Sequence, residues 1–207
     1  MAGVLIVVMG TSGSGKSTLG AKLAERLSLA FVDGDDLHPP SNVAKMAGGT
    51  PLGDNDREPW LHRIRETAID LTHPAREPSA DGTPRRRAGC IIACSALKKA
   101  YRDLLRGDIV TLAGQPRSDE EAGKEQALQT VHVYLDVPPE ELLRRMEARS
   151  ATHFMPPQLL KTQLAALEAP DPATERDVIV VKQDGQGDLQ QMVQDTAKIL
   201  EGYLRAP

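Results

Sequence analysis

Apolar residues gather in five short runs along the chain, Val4–Met9, Ala30–Val32, Gly89–Cys94, Val131–Val137 and Val178–Val181. Continuous apolar runs of this length, bounded by polar or turn-forming residues, are the pattern of buried strands. Between them the spacing becomes helical, with Leu19, Leu23 and Leu27 after the first run and Trp60 or Leu61, Ile64, Ala68 and Leu71 before the third. Leu189, Met192, Val193, Thr196, Leu200 and Tyr203 repeat the helical spacing near the end. This alternation predicts a parallel α/β sheet. Pro59 falls in the first turn of its helix by this pattern, and His73-Pro74 ends it. Two stretches lose the rhythm, about 74–87 and about 114–129, and are expected to be surface insertions in one domain spanning 1–207.

The junction after the first run carries the strongest chemical signal. Gly10-Thr11-Ser12-Gly13-Ser14-Gly15-Lys16-Ser17 fits the phosphate-loop pattern G-x-x-x-x-G-K-[ST], with an apolar strand before it and a helix after it. Glycines there let backbone N–H groups turn inward around phosphates, at a helix N-terminus whose dipole favours anions. Lys16 is expected to reach the β- and γ-phosphates and Ser17 to ligate Mg²⁺.

Composition narrows the partner. A net charge of −4 over 207 residues gives no platform for nucleic acid. Arg85-Arg86-Arg87 lies beside Gly82 and Pro84 with no aromatic residue interleaved, so a solvated loop is expected there. The two cysteines, Cys90 and Cys94, lie four apart on one strand without the second pair that a zinc site needs, which makes them buried thiols. No signal-peptide pattern or membrane-spanning run occurs, so a cytoplasmic protein is expected.

The second apolar run leads into Asp33-Gly34-Asp35-Asp36, at the strand end where ligands of parallel sheets bind. Acidic residues there suit the organisation of Mg²⁺ and acceptance of a proton from an attacking hydroxyl; a helix-capping turn is the alternative. There is no N-K-x-D guanine tetrad and no apolar run ending in Asp-Glu, which weakens the GTPase and motor readings. Lys98, Lys99 and Arg102 after the third strand, with Arg57 before it, suggest an anionic acceptor. Arg144, Arg145 and Arg149 precede a polar segment ending in Pro156-Pro157, about 149–157, suited to a lid that supplies charge to the transferring group and excludes water.

Longer blocks of the chain resemble the gluconokinase family, kinases of D-gluconate related to the nucleoside monophosphate kinases. They are Asp33-Gly34-Asp35 with Leu37-His38-Pro39, Asn42, Lys45-Met46 and Gly49-Thr50-Pro51-Leu52; Asp54, Asp56-Arg57 and Pro59-Trp60-Leu61; Cys94 to Lys99 with Tyr101-Arg102-Asp103; and His153-Phe154-Met155-Pro156 with Leu159-Leu160 and Gln163. The resemblance implies a three-layer α/β/α phosphate-loop fold with a five-stranded parallel sheet and a lid, ATP and Mg²⁺ as cofactors, and 6-phospho-D-gluconate as product. It implies that Gly10, Thr11, Ser12, Gly13, Ser14, Gly15, Lys16, Ser17, Thr18, Arg145 and Arg149 bind nucleotide, and that Ser17 and Asp33 hold the metal. Lys16, Asp35 and Arg149 become the catalytic candidates, and Asp35, His38, Arg57, Lys98, Tyr101, Arg102 and His153 the gluconate candidates. Arg57 or Arg102 is the expected partner of the gluconate carboxylate. A homodimer is expected from the same resemblance, with neither nucleic acid nor membrane as partner.

Overall fold

Strands β1 (Gly3–Met9), β2 (Ala30–Asp33), β3 (Gly89–Ala93), β4 (Leu128–Asp136) and β5 (Val178–Lys182) form one parallel sheet in the order β2-β3-β1-β4-β5. The computed structural model describes residues 2–73, 87–116, 128–149, 157–183 and 187–205, with the side chains of 149 and 157–159 excepted. The helices are α1 (Lys16–Leu27), α2 (Pro40–Ala47), α3 (Asp54–Thr72), α4 (Lys99–Arg106), α5 (Pro139–Arg149), α6 (Pro157–Ala166) and α7 (Leu189–Leu204). The expected segment at 150–156 and the centres of both insertions, 74–86 and 117–127, lie outside the described residues.

β1 is the central strand because it is apolar on both faces. Val4, Ile6 and Val8 join α1 and α7 in one core, while Leu5, Val7 and Met9 join α3 and α4 in the other. All six are fully buried, and each such side chain contributes roughly 1.5–3 kcal/mol relative to exposure. The loop that follows β1 is therefore mounted on the best-anchored element of the sheet. Helices cover both faces, as a parallel sheet requires.

Local chemistry changed some expected boundaries. α3 starts at Asp54, earlier than a first-turn Pro59 implies, because the Asp56 carboxylate accepts from Gly53 N–H at 2.9 Å and closes the first turn there. Pro59 thus lies inside the helix, past its first turn. At the other end of α3, Leu71 faces solvent and Thr72 is the buried residue. The second insertion is shorter than expected at both edges: Leu128 and Gln129 belong to β4, and Ile109 pairs antiparallel with Pro116 in a small hairpin.

Arg87 is a half-buried clamp rather than part of a solvated loop. Its guanidinium donates to Ala2 O at 2.9 Å, to Gln129 Oε1 and to Tyr203 O at 3.3 Å, joining the starts of β1 and β4 to α7. Cys90 and Cys94 are both buried, and burial pushes each thiol up to about 12, so they serve as core residues.

Candidate active site

The phosphate loop connects β1 to α1 through backbone conformations that side chains disfavour. Gly13 takes φ 80° and Gly15, the N-cap of α1, takes φ 94°, both in the left-handed region that glycine enters without a Cβ clash. The loop forms a cavity lined by Ser12, Gly13, Gly15, Lys16, Ser17 and Thr18 together with Asp33 and Asp35. Lys16 Nζ donates to Thr11 O at 2.9 Å, folding back over its own loop. Burial lowers its pKa, opposed by the charges of Asp35 and Asp33.

β2 ends beside this loop and delivers the acidic pair. Ser17 Oγ donates to Asp33 Oδ2 at 2.6 Å, and Asp33 Oδ1 accepts from Asp35 N–H at 3.1 Å, capping a one-turn 3₁₀ helix at Gly34–Leu37. Asp33 caps this turn, as the capping alternative expects, and it also lines the cavity. Gly34 is required sterically, since a Cβ there would lie 2.4 Å from Ala93 O. Burial against the protein raises the Asp35 pKa, and the neighbouring Asp33 raises it further, which suits a proton acceptor. Ser17 and Asp33 supply hard oxygen donors, the chemistry Mg²⁺ selects, and leave room for phosphate oxygens and water. Among the described residues no group of three or more His, Cys, Asp or Glu could hold a metal without such outside ligands.

Arg145 arrives from α5 and meets the loop. Its Nη1 donates to Gln183 Oε1 at 2.9 Å and to Ser14 O at 3.3 Å, while Nε is held by Glu141 at 2.6 Å. Arg149 ends α5, and its side chain lies outside the described residues, as does His153.

A second polar cluster forms where α3 and α4 begin. Lys98 Nζ donates to both oxygens of Asp54 at 2.8 Å, and Tyr101 Oη donates to the same carboxylate. Lys98 and Arg57 lie over the Tyr101 ring at 5.4 and 5.9 Å. Hydrogen bonds from Lys98 and Tyr101 hold the Asp54 carboxyl below its ordinary range. Asp54 was missed as a site residue in the sequence because an acid at the start of a helix reads as a cap. Its pairing with Lys98 spans 44 positions, which no local spacing reveals.

His38 lies beside this cluster, buried and stacked on Trp60 with ring centroids 4.2 Å apart. Burial, then the Arg57 charge, lowers its pKa to about 4, so it is neutral at pH 7. Its Nδ1 lies 3.3 Å from Asn42 Nδ2, and Asn42 also donates to Asp56 O at 2.7 Å. Trp60 Nε1 donates to Gly34 O at 2.7 Å. That bond ties α3, which carries Arg57, to the turn that carries Asp35.

Arg102 does not join the site. It is 1% exposed, pairs with Glu175 through Nε at 2.9 Å and Nη2 at 2.5 Å, and donates from Nη1 to Ala96 O and Leu97 O at 3.2 Å. Its expected role at the gluconate carboxylate is therefore corrected: a guanidinium committed to a buried carboxylate is not available to another. Arg102 instead braces the turn after β3, where Ala96 takes φ 42°, a left-handed conformation that costs energy outside glycine. The turn in question presents Lys98. Gly10 N–H donates to Ser95 O at 3.3 Å, linking the phosphate loop to the same turn.

Comparison with known proteins identifies the family to which this arrangement belongs. A family model described as an AAA domain matches residues 5–170. The thermosensitive gluconokinase of Escherichia coli is 42% identical over 180 residues, covering 86% of this chain and 79% of that protein. A probable gluconokinase of Rattus norvegicus is 43% identical over 171 residues, covering 80% and 83%. The crystal structure of a gluconokinase from Sinorhizobium meliloti superposes with a TM-score of 0.67 at 36% identity, over 96% of this chain and 92% of that one. At this identity over most of both chains, the chain belongs to the gluconokinase family.

Proposed function

We infer that the protein transfers the γ-phosphoryl group of ATP to the 6-hydroxyl of D-gluconate, giving 6-phospho-D-gluconate and ADP. The observation that carries the reading is the convergence of Lys16, Ser17, Asp33 and Asp35 on one cavity, joined through Trp60 and Gly34 to the helix bearing Arg57. In the transfer, a bond forms between the hydroxyl oxygen and the γ-phosphorus, and the bond to the β–γ bridging oxygen breaks. Asp35 accepts the hydroxyl proton, a role its raised pKa favours. Lys16 and the N–H groups of the loop from Ser12 to Thr18 face the phosphates, and Ser17 with Asp33 would hold Mg²⁺, which would supply neutralising positive charge. Arg145 is assigned to the nucleotide. Arg149 and His153 keep their assignments to the transferring group and to gluconate.

The gluconate carboxylate is assigned to Arg57 and Lys98, with Tyr101 and His38 bounding the sugar chain. Arg57, Lys98 and Lys45 against the carboxylates of Asp54 and Asp56 leave the region attractive to a monoanion. Among the described residues no helix is long and apolar enough to cross a membrane, and the acceptor is a small molecule. A homodimer is the expected assembly, and the mass in solution measured by sedimentation equilibrium tests it: a 22.4 kDa species would contradict it.

Two substitutions separate the roles. Asp35→Asn is expected to lower kcat by about 10²- to 10⁴-fold with ATP binding retained; near-normal turnover removes Asp35 from catalysis. Arg57→Lys is expected to raise the KM for gluconate on the order of 10- to 100-fold, because an ammonium cannot form the paired contact of a guanidinium. An unchanged KM sinks that assignment.

A further inference from the structure

Gln163, on α6, reaches the phosphate loop. Its Oε1 accepts from Ser12 N–H at 2.6 Å and its Nε2 donates to Ser12 Oγ at 3.2 Å, a contact between residues 151 apart in sequence. One amide thus grips one loop residue by both of its ends. Ser12 lines the same cavity as Lys16, Ser17, Asp33 and Asp35.

α6 is a firm mount for this contact. Leu160 is fully buried, Leu164 packs on the core shared with α1 and α7, and Leu167 packs on the opposite core. Just past the helix, Glu168 N–H donates to Leu97 O at 2.9 Å, and Glu168 Oε2 accepts from Lys99 N–H at 2.6 Å. One segment therefore holds the phosphate loop at Gln163 and the Lys98 turn at Glu168.

Backbone N–H groups of a phosphate loop are donors for which anions compete. Here one is held by an uncharged acceptor that adds no negative charge beside Asp33 and Asp35. The same amide also carries two donor hydrogens. We propose that Gln163 holds Ser12 while no terminal phosphate is present, then yields the Ser12 N–H to that phosphate and binds it directly from Nε2. It thereby makes the loop discriminate a triphosphate from a diphosphate.

This proposal rests on the reading that the loop binds ATP, and its test separates the two. Calorimetric titration of the full chain with Mg²⁺ and either ADP or a non-hydrolysable ATP analogue gives a ratio of affinities. Gln163→Glu keeps an acceptor for Ser12 N–H but sets a charge against the terminal phosphate; Gln163→Met removes both contacts at similar length. Each is expected to weaken the ATP analogue by about tenfold or more, the worth of one hydrogen bond to a charged group, with ADP affinity nearly unchanged. Equal weakening of both nucleotides marks a merely structural contact and overturns the proposal, as does no change in either variant. A wild-type protein that binds neither nucleotide overturns the ATP reading instead.

Discussion

Each nitrogen of the Arg102 guanidinium donates to Glu175, Ala96 or Leu97. Burial alone would raise the Glu175 pKa, yet the hydrogen bonds and charges of Arg102 and Arg106 hold it below its ordinary range. Arg102→Met leaves that buried carboxylate with Arg106 alone and is expected to cost about 3–5 kcal/mol of stability, measured by urea unfolding. At a temperature where the variant remains folded, its KM for gluconate should match the wild type; a sharp rise would return Arg102 to the acceptor pocket. The sequence placed Arg57 and Arg102 on equal footing, since both are arginines beside motif residues. What separates them is Glu175, 73 positions away from Arg102, and a pairing over that distance has no local signature. Asp54 and Gln163 escaped assignment for the same reason, whereas the loop from Gly10 to Ser17 was legible because its chemistry lies in contiguous residues.

The link between elements that matters most is the one from α3 to the acidic turn, made by His38 stacking on Trp60 and by Trp60 holding Gly34 O. His38 titrates at about 4 in the fold and near 6.5 when unfolded. Above pH 6.5 it is neutral in both states and contributes no pH dependence. Between pH 6.5 and 4 the unfolded chain binds a proton that the folded chain refuses, so stability falls as pH falls. The full loss is up to about 3 kcal/mol at about 1.4 kcal/mol per pH unit. His38→Phe keeps an aromatic ring against Trp60 and is expected to flatten the dependence of unfolding free energy across pH 4.5–6.5; an unaltered slope would contradict the assignment. The strands were legible as elements because their apolar runs have one interpretation once a helix follows each. The start of α3 was not, because Pro59 is also at home in a first turn, and the Asp56 bond to Gly53 N–H settled the boundary.

Across the whole molecule, two polar clusters lie at the carboxyl ends of one sheet, and the proposed function rests on both. The nucleotide cluster sits between β1 and α1, with Asp33 and Asp35 supplied from β2. The cluster proposed for the acceptor sits on the first turn of α3 and the approach to α4. A parallel sheet of five strands, helices on both faces and family membership followed from pattern, motif and resemblance, while the strand order and the joining of the clusters required the folded chain. The most direct test is ADP release from ATP and Mg²⁺ with D-gluconate, set against shikimate, glucose, AMP and no acceptor. Strong stimulation by gluconate, with the other arms at the level without acceptor, is the expected result. Stimulation by another acceptor in place of gluconate, or ATP binding with no stimulated release at all, would contradict the assignment of the acceptor pocket.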